Sequence, residues 1–474
     1  MRGDAVEINI EAVNRSMTAV TLDQVTLSNG SVATTGAVSL APNERQNIET
    51  KLDISGETAH SNPYWLDKPG TMGMYHVEDQ MLIGNPISKA AYRVTFDLTI
   101  EGKKFSIDRD IIFKRNDPVD GEVYAPFYIT PEASLAFTDP VYILPDNTAK
   151  EISVVVKSYA NHLKGSLQLV HPDSWTVTPA MQDIAIEKKG GEQTVTFSVS
   201  GPAGQESAVM SLMLKTQGGI SVKEAITEIN YDHIPAQILL KPAISKFERI
   251  NLKTKGHNIA YIQGAGDDIP KSLRQIGYDV TEISASDVSV SYLKNYDALV
   301  VGIRAYNTSK ELLLKRNTII DYMNQGGTVI VQYNTSRRIK GDDIGPYPME
   351  LSRDRVTDET AEVTFEEPDH ELLNYPNKIT SKDFEGWVQE RGLYFPNKWA
   401  DNYAAPLSCH DKGEPARRGG MLVAEVGKGH FIYTGYSWFR ELPAGVPGAF
   451  RLFANMLSIG KNDMTQSQST GRDE

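Results

Sequence analysis

The chain reads as two all-β sandwich domains of immunoglobulin or fibronectin type followed by one α/β domain, and three observations carry that expectation. Its first half is built of short segments in which apolar and polar residues alternate. Turn residues divide those segments at the short, regular spacing of a sandwich. From Lys255 onward, apolar strand-like runs begin to alternate with amphipathic helical ones. That alternation implies a parallel sheet covered on both faces. At 474 residues there is chain enough for two to four domains, each with its own core.

In chain order, VEINIEAVN (Val6 to Asn14), AAYRVTFDLTI (Ala90 to Ile100) and FSIDRDIIF (Phe105 to Phe113) have the period of half-buried strands. An irregular insert between Gly56 and Pro86, rich in Pro, Gly and aromatics, reads as a functional loop or a lid. Turn residues crowd at Asn116 to Pro131, and a second β series follows: EISVVVKSYA, GSLQLVHP, WTVTP, EQTVTFSVSG and AVMSLMLKT. Within it, GSLQLVHPDSWTVTP (Gly165 to Pro179) reads as a hairpin with a central Trp. These patterns place the sandwiches at 1–118 and 119–232, a linker at 233–252 and the α/β domain at 253–461. In the last domain NIAYIQGAGD, VTEIS, YDALVVGIRAYN and TVIVQYN read as strands, SKELLLKRNTIIDYMNQGG as a helix stopped by Gly326-Gly327, MLVAEVGKGHFIYTGYSW as a hairpin and PGAFRLFANMLSIG as a closing helix. The polar tail 462–474 reads as disordered.

Composition removes several classes. Apolar residues at 40% and charged ones at 23% are ordinary for globular protein. A net charge of -13 argues against a phosphate-backbone binder, so no nucleic-acid partner is expected. The basic pairs Arg337-Arg338 and Arg417-Arg418 read as solvated loops. The single cysteine, Cys409, excludes an intrachain disulfide framework and a Cys-rich zinc site. No apolar run approaches the ~20 residues of a membrane span. The start MRGDAVEINIEAVNRS has no signal-peptide core and enters strand pattern at once, which predicts that Met1 is not a natural domain edge.

Candidate chemistry is sparse. Asp369-His370-Glu371 is the densest His/carboxylate cluster, and its setting reads as a helix start capped by Asp369 rather than as a metal site. Cys409 and His410 are adjacent, but neighbouring side chains point in different directions, so they make a poor dyad. Gln-Gly-Ala-Gly-Asp (263–267) lacks the third glycine of a dinucleotide fingerprint, and acids follow where a pyrophosphate would sit.

Two stretches dense in Trp, Tyr, Phe, Arg, Glu and Gly stand out: DFEGWVQERGLYFPNKWADNY (Asp383 to Tyr403) and GKGHFIYTGYSWFRELPAGVPGAFRLFANML (Gly427 to Leu457). With GIRAYN and EPDHELLNYPNKI, they resemble the C-terminal region of bacterial PIG-L/LmbE-family deacetylases. The resemblance implies that the last domain is flavodoxin-like, of the class I glutamine amidotransferase type, and that the deacetylase domain is absent from this chain. Zinc would then be expected only in that missing domain, with no cofactor here. The nearest match to the deacetylase His-Pro-Asp-Asp-Glu loop is His171-Pro172-Asp173-Ser174, which lacks the second Asp and the Glu. The implied partners are a glycan or amino-sugar conjugate and the deacetylase domain in cis or in trans. The implied location is periplasmic or extracellular.

Active amidotransferases carry a nucleophile at a tight strand-to-helix elbow. The equivalent turn is expected at the end of TVIVQYN, at Gln332, Tyr333 and Asn334, none of which is a usual nucleophile; Thr335 and Ser336 follow without a placed His. A ligand cleft beyond the carboxyl ends of the strands would be lined by Gln263, Gly264 and Asp267, by Arg304, Tyr306 and Asn307, and by Asn334 and Arg337. Asp383, Trp387, Glu390 and Arg391 would approach from the insert, and Trp438 and Arg440 from the hairpin. Aromatic rings with amides, arginines and carboxylates suit a polyhydroxylated ligand. The alternative is that Trp387 and Trp438 belong to the core and that Arg391 or Arg440 pairs with a carboxylate. The expected role is a non-catalytic accessory to a sugar deacetylase; an enzyme using Asp267 or Asp383, or a spacer without ligand, are the other readings.

Overall fold

The computed structural model describes residues 1–34, 36–71, 73–337, 339 and 344–461. The tail expected to be disordered, and Arg338 of one basic pair, lie outside the described residues. Strand far outweighs helix, and the β part forms sandwich-like sheets.

In the first unit, strands Ala5–Val13 and Arg45–Asp53 pair antiparallel. They pack over a four-stranded sheet in the order Val38–Leu40, Val20–Leu27, Arg93–Ile100, Lys103–Asp110. Alternate residues turn inward, with an irregularity between Leu22 and Gln24 that keeps both Leu22 and Val25 inside, so Ile8, Ile10, Leu22, Val25, Leu52 and Val94 share one core. The single strand expected over Phe105 to Phe113 is two. The chain breaks at Ile111, which is buried and donates its amide to the Tyr92 carbonyl at 3.1 Å. It then leaves as a hairpin, Ile112–Asp117 with Gly121–Pro126, so the boundary expected at 118/119 falls in that hairpin's turn.

The second unit sets Val141–Leu144, Ile244–Arg249, Glu206–Thr216, Leu163–Val170 and Gln182–Ile186 against Thr176–Thr178, Glu192–Ser200, Lys150–Ser158 and Ala133–Phe137. Two expectations give way here. Leu163–Val170 and Thr176–Thr178 lie in different sheets, so the stretch read as a hairpin crosses the sandwich. Trp175 anchors the crossing in the core, 6.1 Å from Phe247 and donating to Glu206 Oε1 at 2.9 Å. The stretch 233–252 is not a linker. Gln237–Pro242 pairs with Glu224–Ile229, and Ile244–Arg249 lies between Val141–Leu144 and Glu206–Thr216. Burial of Phe247 against Tyr142, ring centroids 4.9 Å apart, is the physical reason: a linker would leave that ring in water.

In the third unit Asp279–Ile283, Asn258–Ile262, Ala298–Val301, Thr328–Gln332 and Gly429–Thr434 run parallel in that spatial order, and Met421–Val426 closes the edge antiparallel. Strand side chains divide between two cores. Ile259, Tyr261, Ala298, Val300 and Ile330 face one, and Ala260, Ile262, Leu299, Val301, Val329 and Val331 face the other. The chain visits the two sides of Asn258–Ile262 in turn, which makes a topological switch point between that strand and Ala298–Val301. Helix Pro447–Ser458 covers the first core. Ile143 and Ile250 of the second unit join the same core, and Gln275 stitches the two units by accepting from the Ile143 amide (2.9 Å) and donating to the Val141 carbonyl (3.1 Å). Among the described residues, no helix is long and apolar enough to cross a membrane.

Candidate functional site

The loops after the two switch-point strands lie against each other at the backbone. A Cβ on Gly264 would stand 2.0 Å from the Ile303 carbonyl oxygen, and the Ala265 amide donates to that same carbonyl at 2.9 Å. Only glycine permits this approach. It forces the chain after Ala298–Val301 into a sharp turn, in which Arg304 takes the left-handed conformation (φ 55°) immediately before helix Ala305–Thr308. A non-glycine residue in that region is uncommon and costs about 1–2 kcal/mol. The strained strand-to-helix elbow is therefore at Arg304, not at Gln332, Tyr333 and Asn334 where the sequence placed it. Its side chain is exposed.

The next loop holds the elbow in place. The Arg304 amide donates to the Tyr333 carbonyl (2.8 Å), and the Tyr306 amide donates to Asn334 Oδ1 (3.1 Å). Asn307 Nδ2 donates to the Thr335 carbonyl (3.0 Å), and the Thr335 amide returns a bond to Asn307 Oδ1 (2.9 Å). Asn334 is fully buried and also donates to the Gln332 carbonyl. Tyr306, Asn307 and Asn334 thus build the loop rather than offer free polar groups to a ligand.

Around Arg304 sits an aromatic and charged patch. Tyr333 stacks on Tyr394 (centroids 5.8 Å, 11° between planes) and lies 5.5 Å from Phe439. The Arg440 guanidinium lies 4.8 Å over the Phe439 ring, and its Nε donates to Glu390 Oε1 at 2.9 Å. The charges of Arg304, Glu390 and Arg440 all act on the Tyr333 hydroxyl, whose acidity falls chiefly through burial. Of the six non-glycine residues with positive φ among the described residues, Arg304, Gln389 and Tyr394 belong to this patch or flank it. Such clustering of backbone strain is characteristic of functional sites.

Gln263 is exposed beside the elbow and leans toward Glu282 (3.3 Å). Beneath it, Tyr261 donates to Asp267 Oδ1 (2.6 Å), the Ile269 amide donates to the same oxygen (3.1 Å), and Gln332 Nε2 donates to the Tyr261 hydroxyl (3.0 Å). Burial raises the Asp267 carboxyl above its ordinary range. Among the described residues, Asp267 Oδ2 and Gln332 Oε1 are buried without a hydrogen-bond partner.

The structure gathers Asp383, Trp387 and Arg391 elsewhere, inside the protein. Asp383 is 1% exposed, caps the turn Ser381–Phe384 through the Thr380 amide (2.8 Å) and pairs with Arg451 of the closing helix. Trp387 meets Trp438 edge-on at 5.4 Å and donates to the Asp383 carbonyl. Arg391 lies 5.1 Å over the Trp387 ring and spends its donors on the carbonyls of Ala361 and Phe384 (2.6–3.0 Å). These three, with Trp438, pack the segment 381–391 onto the sheet and are buried in the protein. Of the expected lining, Gln263, Arg304 and Arg337 are exposed, and Gly264, Asp267, Asn307, Glu390 and Arg440 are half-buried. Tyr394 and Phe439 were missed. Both look like core aromatics in sequence, and the backbone strain at Tyr394 has no sequence signal.

Three smaller expectations resolve locally. The cap of helix Glu371–Asn374 is His370, whose Nδ1 accepts from the Leu372 amide at 3.1 Å, and not Asp369. The Cys409 thiol lies 3.8 Å from the Tyr436 hydroxyl, and burial pushes it up to about 11, while His410 is exposed and turned to the Asp411 carbonyl. His171 is half-buried in the sandwich crossing, its Nδ1 on the Pro172 carbonyl. Among the described residues, no three His, Cys, Asp or Glu side chains are grouped to hold a metal ion.

No family model matches this chain, and none of the curated proteins matches it. Solved structures align with parts of it. WR4, a C. elegans MSP family member, is 10% identical over 24% of this chain and 96% of its own, with a TM-score of 0.16. A non-cellulosomal cohesin from the hyperthermophilic archaeon Archaeoglobus fulgidus is 11% identical over 25% and 92%, with a TM-score of 0.17. A Parabacteroides merdae β-glucuronidase is 8% identical over 68% and 48%, with a TM-score of 0.19. At these TM-scores the likenesses carry no argument.

Proposed function

We propose that this chain is a glycan-recognition region, accessory to a sugar deacetylase of the PIG-L/LmbE type, and that it binds its ligand on the patch around Arg304. The observation that carries the reading is the elbow itself. The fold spends backbone strain to project one side chain at the switch point, and that side chain is an arginine, a group that binds but supplies no nucleophile. Half-buried Tyr394, backed by buried Tyr333, and half-buried Phe439 offer ring surface for sugar, and Arg440 and Gln263 offer donors for hydroxyls. The strand order and its reversal agree with a flavodoxin-like, amidotransferase-like ancestry in which the nucleophile has been replaced. In this reading the deacetylase domain acts in cis or in trans outside the cell membrane, and zinc belongs to it. No hydrolytic step is derived from the side chains here.

The test is binding of the purified chain to immobilised N-acetylglucosamine oligomers, with wild type compared to Arg304→Ala and Arg440→Ala. Retention lost in both variants, with unchanged melting temperature, supports the reading. Retention equal in all three, or absent in wild type, removes it. The Asp267 carboxyl favours a second reading, an acid–base enzyme, because it is buried beside the elbow with one oxygen unpartnered among the described residues. Turnover of a glycoside or amide abolished in Asp267→Asn would establish that reading instead.

A further inference from the structure

Far from the Arg304 patch, a cavity of about 230 Å³ opens where the irregular insert of the first unit meets the second. Its walls come from three separate segments: the insert (residues 59–67 and 87–91), the entry to the second unit (126–128) and the strand that begins at Gln237. We infer that this cavity is a separate binding site for a single neutral monosaccharide unit.

The walls are built rather than incidental. The Ser61 amide donates to the Ile129 carbonyl and the Ile129 amide to Ser61 Oγ, both at 2.9 Å. The Leu240 amide donates to Asn62 Oδ1 at 3.0 Å, and the Tyr64 amide donates to Ser88 Oγ at 2.9 Å. An insert whose regular structure among the described residues is two single-turn helices, Tyr64–Leu66 and Gln80–Leu82, is thereby fixed to both sandwiches, which a passive surface loop does not need.

The two tyrosines on the wall have their polar ends spent. Tyr128 donates to the Ala236 carbonyl (2.5 Å) and Tyr64 to the Asn85 carbonyl (3.3 Å). Both rings are held in place, and with Phe127 they provide the apolar surface that the less polar face of a sugar packs on. Two other polar groups remain free. Among the described residues, His60 and Lys89 have no hydrogen-bond or ion-pair partner, and Asp67, hydrogen-bonded to Asn62, stands opposite in charge to Lys89. Burial holds the His60 imidazole below its ordinary range, so it meets a ligand uncharged, as both donor and acceptor. A site with one cation, one anion and a neutral imidazole is balanced in charge. It suits hydroxyls that donate and accept, and it opposes a ligand of either sign alone. At about 30 Å³ per water, the volume holds roughly seven or eight waters or one sugar ring, and it lies below the range of about 300–1,000 Å³ for larger ligands.

The reporter is built in: Trp65 meets the Tyr64 ring edge-on at 4.8 Å. The full chain is titrated separately with glucose, galactose, mannose and N-acetylglucosamine, following tryptophan emission, with Trp65→Phe as the signal control. The expected result is saturable binding of at least one sugar, weakened tenfold or more in His60→Ala and in Asp67→Asn and unchanged in Arg304→Ala. Among the described residues His60 makes no hydrogen bond, so its removal strands no polar partner, and the melting temperature of His60→Ala checks that the fold is kept. The inference is overturned if no sugar gives a saturable change, if His60→Ala and Asp67→Asn bind as wild type does, or if glucuronate or glucosamine binds in preference to every neutral sugar. Because Arg304→Ala is one arm, failure here is distinguishable from failure of the recognition patch.

Discussion

The amide of Arg304 and the carbonyl of Tyr333 are joined at 2.8 Å, so a residue in left-handed conformation at the end of one strand is clamped by the end of the next. The clamp lets the elbow persist without glycine. It also separates two properties that a substitution would otherwise mix, namely the strain of the backbone and the reach of the guanidinium.

Arg304→Gly and Arg304→Ala both remove the guanidinium, but only alanine keeps a Cβ at φ 55°. The glycine variant is expected to be more stable than the alanine variant by about 1 kcal/mol. Both are expected to lose glycan binding to the same extent. Urea unfolding of the two variants beside the immobilised-sugar assay checks this, and equal stability would mean that the elbow carries no strain.

Trp387→Ala is expected to cost about 3–5 kcal/mol, since it empties space shared with Trp438, Tyr436 and Phe384 and removes the ring under Arg391. Asp383→Asn leaves Arg451, itself largely buried, without its anion, and a loss of about 3 kcal/mol follows. Denaturant midpoints measure both. Preserved stability with lost sugar binding would return these residues to the ligand and contradict their placement in the core.

Those two residues also show what a sequence can and cannot carry. Period-2 alternation in VEINIEAVN and EISVVVKS marked strands that the structure contains, and the apolar runs at Ala298–Val301 and Thr328–Gln332 marked buried parallel ones. Ile244–Arg249 escaped because prolines at 235 and 242 and the charges of Lys246, Glu248 and Arg249 disguise a strand whose Phe247 is buried. Glu248 and Arg249 are buried too, Glu248 accepting from Ser207 Oγ (2.8 Å) and Arg249 donating to Asn147 (2.7 Å), partners unreadable in one dimension. For the site, Arg304, Gln263 and Arg440 were legible as polar residues at strand ends. Trp387 and Arg391 misled because an aromatic–arginine cluster has the same composition whether it binds a sugar or fills a core. The elbow was misplaced because its cause, the contact of Gly264 with Ile303, joins two loops distant in sequence.

Glu441 is fully buried, and among the described residues its carboxyl accepts only from the Val388 amide (3.0 and 3.3 Å). Burial pushes it up to about 8, against a softer pull from Val388, Arg391 and Arg440. The unfolded chain releases this proton near 4.5 while the folded one keeps it to about 8, so its contribution to stability is lost as pH rises across that window. Glu441→Gln is expected to flatten the decline, gaining on the order of a few kcal/mol over wild type at pH 8 and little at pH 4. Chemical denaturation across this range tests it, and parallel curves for the two proteins would contradict it.

Lys150 gives the opposite slope at the joint between the second unit and the α/β unit. Its ammonium donates to the Ile143 carbonyl (2.9 Å) and to Gln275 Oε1 (3.2 Å) and carbonyl (3.3 Å). Burial nevertheless pulls it down to about 8. Between pH 8 and 10.5 the unfolded chain holds a proton that the folded chain has released, so stability rises with pH there. Lys461, also lowered to about 8 by burial, adds to the same rise, so only the difference between wild type and Lys150→Met isolates Lys150. That difference is expected to grow in favour of wild type by on the order of 1–3 kcal/mol from pH 8 to 10. Below pH 8 it is expected to stay constant, because Lys150 is then charged in both states. A difference independent of pH throughout would show that the ammonium at this joint is solvated, and that Gln275 alone aligns the two units.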